Sequence, residues 1–197
     1  MKSNLFIFSL LLVCQLSFGQ NVYKDSMQKY ISNYVKNHEV VTGDDKKLLH
    51  FYPVNEKYVI KAKFDKVNDS KWFGMETSGS TQSFNRVYGT LHFSINDTAV
   101  TLNIYQSKDL MNVTQYKEYL FLPFTDLTSG NETYGNGRYI DLTTNDIVNN
   151  TVTIDFNKAY NPYCAYVTGK YNCPIPPKEN DLSVAIRAGE MAFGKKH

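Results

Sequence analysis

The chain has 197 residues, with 21 Lys and Arg against 19 Asp and Glu, a net charge of +2, and 14% aromatic residues. That length suits one domain with a genuine hydrophobic core. Slight charge, with no basic cluster interleaved with aromatics and no basic amphipathic segment, argues against nucleic acid and against a membrane surface as partner.

The first residues carry a targeting pattern. Lys2 supplies a positive start, Leu5 to Val13 is an apolar run, and Ser17-Phe18-Gly19 ends it with small residues, the arrangement of a secretory signal peptide. Cleavage before Gln20 is expected, leaving 20–197 as a single domain after a signal peptide at 1–19. The run is shorter than the roughly 20 residues a permanent span needs, so no transmembrane segment is expected after its removal. Export to a periplasmic or secreted location follows. A lipoprotein reading, with Cys14 carrying lipid, stands second because Val13 is a poor fit before a lipidated cysteine.

From Val22 to about Lys36 the residues Met27, Tyr30, Ile31, Tyr34 and Val35 fall at helical spacing among polar neighbours, which predicts an amphipathic helix. Asn37-His38 should end it, with His38 a surface residue whose charged form suits the helix C-terminus. Strands then dominate. Tyr58, Ile60, Ala62 and Phe64 alternate with polar positions; Val87, Gly89, Leu91, Phe93 and Ile95 do the same. Asn96-Asp97 is a hairpin turn before Val100, Leu102 and Ile104. Glu118 to Phe124 is apolar on both faces and therefore covered on both sides, with Pro123 expected at an edge or bulge. Arg138 to Leu142 and Thr151 to Asn157 are expected to pair around the turn Thr143-Thr-Asn-Asp146. After Pro174-Ile-Pro-Pro177, Leu182, Ala185, Ile186, Gly189 and Phe193 mark one face of an expected C-terminal helix. Glu190 would then be a solvent residue or a carboxylate aimed back at the preceding tract, the former being usual on a helix. The fold class expected is mainly β: a single antiparallel curved sheet, barrel- or sandwich-like, with an N-terminal and a C-terminal helix packed on it.

Once Cys14 has left with the signal peptide, Cys164 and Cys173 remain, and an even number in an oxidising compartment argues for a disulfide. No C-x-x-C occurs and no histidine lies near either cysteine in sequence, so neither a metal nor another cofactor is implied.

Polar and aromatic chemistry concentrates in the tract 124–190. Three stretches in it form long composite motifs: Phe124-x-Asp126-x-Thr-Ser-Gly-x-Glu-Thr-Tyr-Gly-x-Gly-Arg-Tyr139, Asp155-Phe-Asn-x-Ala-Tyr-Asn-Pro-x-Cys-Ala165, and Cys173-Pro-x-Pro-Pro-x-Glu-Asn-x-Leu-x-x-x-Ile-x-Ala-Gly-Glu190. On these the chain resembles the family of domain of unknown function 1684. The resemblance implies membership and marks the tract as the family's identifying feature, without implying a chemistry.

Physically, the tract offers Asp126, Glu132 and Asp155 as carboxylates and Arg138 as a planar donor fork. Two carboxylates meeting across a cleft could serve as general acid and base, as in glycoside hydrolysis. Tyr134, Tyr160 and Tyr163 could stack on sugars, with Arg138, Asn157, Asn161 and Asn180 as further binding candidates. The plainer reading has Asp155 paired with Arg138 across neighbouring strands and the asparagines tying loop backbones. The leading expectation is a non-enzymatic exported domain that binds a small molecule, glycan or envelope partner through this tract. A carboxylate hydrolase and a structural envelope protein without a pocket are the alternatives, and the convergence or scattering of the carboxylates separates them.

Overall fold

The computed structural model describes residues 22–194. The expected signal peptide and Cys14 lie outside them. Helix α1 spans 22–37, as its periodicity predicts, with Met27 buried and Tyr34 and Val35 half-buried beneath it. His38 departs from expectation. It is 7% exposed, and its Nδ1 accepts the backbone N–H groups of Val40 and Val41 at 3.3 and 2.9 Å. It therefore closes the turn after the helix from inside, and is not a solvated charge.

Seven strands follow: β1 (Val59–Lys66), β2 (Phe73–Met75), β3 (Ser83–Ile95), β4 (Thr98–Ser107), β5 (Tyr119–Phe124), β6 (Arg138–Thr143) and β7 (Thr151–Asp155). They form one antiparallel sheet in the order β6-β5-β4-β3-β1-β7, with β2 beside β3, curled into a half-barrel. The β3–β4 hairpin turns at Asn96 and Asp97, both at positive φ, +49° and +61°, the conformation its twisted two-residue turn requires. The expected pairing of the segments around 143–146 does not occur. β6 pairs with β5 and β7 with β1, so the two lie at opposite ends of the sheet.

The concave face is apolar: Leu91, Leu102, Ile104, Leu120, Leu122 and Ile154 are fully buried there, each stabilising the fold by about 1.5–3 kcal/mol. The convex face carries a second cluster of Met75, Tyr105, Phe121 and Tyr139, which is why β5 is apolar on both sides. One strand changes allegiance midway. A bulge between Val87 and Gly89 shifts the register of β3, so Val87 joins the convex cluster while Leu91 stays in the concave one. The Phe64 ring lies where a Gly89 side chain would sit, so glycine permits this close approach.

Pro123, expected at an edge or bulge, sits on an interior strand at a point where the ladder on one side has stopped. β5 keeps its ladder with β6, but meets β4 only at Tyr105 and Phe121. Beyond that point the Asn180 side chain fills the gap. Its Oδ1 accepts the Asn103 N–H at 2.9 Å, and its Nδ2 donates to the carbonyls of Asn103 at 2.8 Å and Pro123 at 2.6 Å. An amide side chain thus supplies the donor and acceptor that a backbone ladder would have provided.

The C-terminal segment is not a helix. Residues 181–194 run extended or irregular, with Leu127 N–H donating to the Val184 carbonyl and Leu182 N–H to that of Thr125. Leu182, Val184, Ile186 and Ala188 all enter the concave core, a period of two that the helical reading overlooked. Gly189, at φ +77°, brings its backbone so near Ala159 and Phe156 that a Cβ would lie 2.6 and 2.7 Å from their carbonyl oxygens. Among the described residues no helix is long and apolar enough to cross a membrane.

Candidate functional site

Arg138 decides how the C-terminal segment lies. It is fully buried at the end of the concave face, and its guanidinium donates to Asp126 Oδ2 at 2.8 Å and to the Ile186 carbonyl at 2.9 Å. It also donates to the carbonyls of Ala188 and of Glu190. Three acceptors on alternate residues can face one side chain only if the segment is extended, which excludes a helix there. Asp126 Oδ1 accepts the N–H groups of Thr128 and Ile186 at 2.8 and 3.2 Å. Asp126 and Arg138 are therefore a structural clamp, with both partners consumed internally.

The other expected carboxylates are committed elsewhere. Glu132 is bidentate with Arg187, with a closest approach of 2.7 Å, and accepts the Tyr52 hydroxyl at 3.0 Å; the Arg187 guanidinium holds its carboxyl below the usual range. Asp155 is not the partner of Arg138. It accepts the Tyr23 hydroxyl at 3.0 Å and the Asn157 backbone N–H at 3.1 Å, which fastens α1 to the end of β7. Asn157 adds bonds to both backbone groups of Asn55. Tyr134 packs in a small cluster with Tyr166 and Phe193. These residues do not converge on a shared cavity, and among the described residues no group of His, Cys, Asp or Glu could hold a metal ion.

A concavity lies on the opposite, convex face of β6, between that strand and α1. It is a cleft of about 680 Å³, within the range of small-molecule sites. Its floor is Tyr139 and Asp141, the outward residues of β6. Tyr160 joins them because its backbone pairs with that of Tyr139 in both directions, at 2.9 and 3.0 Å, extending the free edge of β6. One wall is the α1 face bearing Tyr30, Asn33, Tyr34 and Asn37, continued by His38 and Glu39. Opposite stand Pro162, Tyr163, Tyr171, Asn172, Cys173 and Pro174. Cys164 and Cys173 form the expected disulfide, with Cα atoms 6.2 Å apart, and it fixes this rim. Of the binding residues expected from sequence, Tyr160 and Tyr163 line the cleft, whereas Tyr134, Arg138, Asn157, Asn161 and Asn180 do not.

Tyrosine hydroxyls hold the carboxylates around the cleft. Tyr119 and Tyr160 both donate to Asp141 Oδ1 at 2.7 Å, and Tyr163 donates to Glu39 at 2.8 Å. Burial and the neighbouring acids push the Tyr160 hydroxyl well above its ordinary pKa, and those of Tyr34 and Tyr163 rise too, the latter to about 12. All of them are neutral donors at physiological pH. Burial and nearby Lys46 lower the pKa of His38; with Nδ1 accepting two N–H groups, the proton sits on Nε2, which has no hydrogen-bond partner among the described residues.

Behind the α1 wall lies Glu190, fully buried. Its Oε2 accepts the Asn161 N–H at 2.8 Å and the Tyr34 hydroxyl at 3.2 Å, and its Oε1 accepts the Tyr166 hydroxyl at 2.7 Å. Burial outweighs these three bonds and raises its pKa to about 7. Of the two readings the sequence left for Glu190, solvent residue or carboxylate aimed back at the tract, the structure has the inward one. The alternation Leu182, Val184, Ile186, Ala188, Glu190 carried the signal for an inward position.

A family model described as "Protein of unknown function (DUF1684)" matches residues 46–191. The match includes β6, Tyr160 and the disulfide rim, and begins after α1. Among solved structures, the solution NMR structure of an uncharacterized protein from Haloarcula marismortui is similar, with a TM-score of 0.64 at 24% identity, over 88% of this chain and 96% of that one. At that identity the likeness concerns the fold. No curated protein matches the chain.

Proposed function

The chain belongs to the DUF1684 family, and from that premise we propose that it is an exported binding domain that takes a small organic ligand in the cleft between α1 and β6. The observation that carries this reading is the cleft's lining: six tyrosines, at 30, 34, 139, 160, 163 and 171, with asparagines at 33, 37 and 172. Tyrosine presents a broad apolar face with a polar tip and loses few rotamers on binding, and amides add orienting hydrogen bonds. The hydroxyls of Tyr160 and Tyr163 are fixed by Asp141 and Glu39, so two of the rings are already positioned and little ordering cost remains for the ligand. Export is consistent with the disulfide at the cleft rim.

The hydrolase alternative draws no support from the carboxylates that motivated it, because Asp126, Glu132 and Asp155 are held in three separate hydrogen-bonded groups. The binding reading is tested by a thermal-shift screen of amines, saccharides and aromatic acids on the mature chain. A ligand at a hundred times its Kd should stabilise by about 2.7 kcal/mol. Tyr160→Ala should abolish the shift, and Tyr116→Ala, an exposed residue outside the cleft, should keep it. Hits that survive Tyr160→Ala would place binding elsewhere and end this reading.

A further inference from the structure

The charge pattern of the cleft narrows the ligand class further. Among the described residues no Lys or Arg lines it, whereas Asp141 and Glu39 do. His38 adds no positive charge, since its Nδ1 accepts two backbone N–H groups and its ring is therefore neutral. Asp141 takes both of its tyrosine hydroxyls on Oδ1, so Oδ2 has no donor among the described residues, and Asp141 is exposed on the cleft floor. A phenol that donates to a carboxylate becomes more electron-rich at its ring, which strengthens its attraction for a cation.

The molecule already uses its tyrosines this way at the rim. Lys158 Nζ lies 5.7 Å from the Tyr30 ring centroid and Lys170 Nζ 5.3 Å from that of Tyr171. Among the described residues no cation is placed over Tyr34, Tyr139, Tyr160 or Tyr163. Tyr139 and Tyr160 meet edge to face, 5.9 Å apart at 89°, and Tyr34 stands 6.3 Å from Tyr160 at 47°. Rings at such mutual angles form walls of a box, the arrangement that surrounds an alkylated ammonium.

Resting on the binding reading above, we infer that the cleft selects a cationic ligand of the quaternary or alkylated ammonium class, its charge seated among Tyr34, Tyr139 and Tyr160 and balanced by Asp141. The test is an NMR titration of the mature chain with choline, with its uncharged isostere in which carbon replaces nitrogen, and with N-acetylglucosamine. Choline should shift the resonances of Tyr160 and Asn33 and bind about tenfold tighter than the isostere. Asp141→Asn keeps an acceptor for Tyr119 and Tyr160, so it should fold normally and weaken choline about fivefold. The isostere binding as well as choline, or choline failing to bind, overturns the cation inference. In either case, cleft shifts caused by N-acetylglucosamine leave the binding reading standing, and their absence with all three probes removes that as well.

Discussion

Replacing Glu190 with glutamine should remove a pH dependence that the wild-type fold carries. The carboxyl is fully buried, and its folded-state pKa is raised to about 7 from an ordinary 4.5. Below the unfolded value both states hold the proton and the group costs nothing. As pH rises from 4.5 toward 7 the unfolded chain releases its proton while the folded chain keeps it, so stability falls across that window. Above it the full difference is expressed. A separation of roughly 2.5 pH units at about 1.4 kcal/mol each corresponds to about 3 kcal/mol. Glutamine offers an oxygen to the Asn161 N–H and to Tyr34, and an amide N–H to the Tyr166 oxygen, so the network survives without a charge. Urea denaturation of both proteins from pH 4 to pH 8 measures the effect. The stability of Glu190→Gln minus that of wild type should climb by about 3 kcal/mol between the two ends, equivalent to roughly 6–12 °C in Tm for a chain of this size. Parallel curves, with a constant difference across the range, would refute the claim that burial dominates the three hydrogen bonds.

Two further substitutions probe the frame. Asp126→Asn takes the balancing charge from a fully buried guanidinium and should cost about 3–5 kcal/mol, read by chemical denaturation, with faster proteolytic cleavage in 186–194; a loss under 1 kcal/mol would show that Arg138 is satisfied by carbonyls alone. Asn180→Ala deprives the Asn103 N–H and two carbonyls of their partners, and about 2–4 kcal/mol should be lost, together with amide-exchange protection at Asn103; unchanged protection there would contradict the bridging role.

How much was legible beforehand depended on whether a signal was local. The helix at 22–37, the β3–β4 hairpin and the two-sided apolar β5 were all readable because each is a periodicity within a few residues. The C-terminal segment misled because two periods coexist in it. Leu182, Ile186 and Gly189 fit a helix, while Leu182, Val184, Ile186 and Ala188 fit an extended chain, and local propensity could not choose between them. The choice was made by Arg138, some 50 positions away in the chain, whose buried guanidinium demands carbonyls on alternate residues. The bulge before Gly89 was equally unreadable, since a period-2 pattern continues through it in the sequence.

What the sequence determined by itself was the mainly β class of fold and the pairing of Cys164 with Cys173, together with two of the tyrosines, Tyr160 and Tyr163, that line the cleft. Hydrophobic alternation and residue chemistry are properties of short stretches, and they carry over into any fold that buries them. Only the tertiary structure decided the location. Strand order put β6 and β7 at opposite ends of the sheet, which separated Arg138 from Asp155, and the parity of β6 sent Arg138 inward while Tyr139 and Asp141 faced α1. A cleft between a helix at the start of the chain and a strand a hundred residues later exists only once the sheet has curled and the helix has docked, because no stretch of sequence contains both walls.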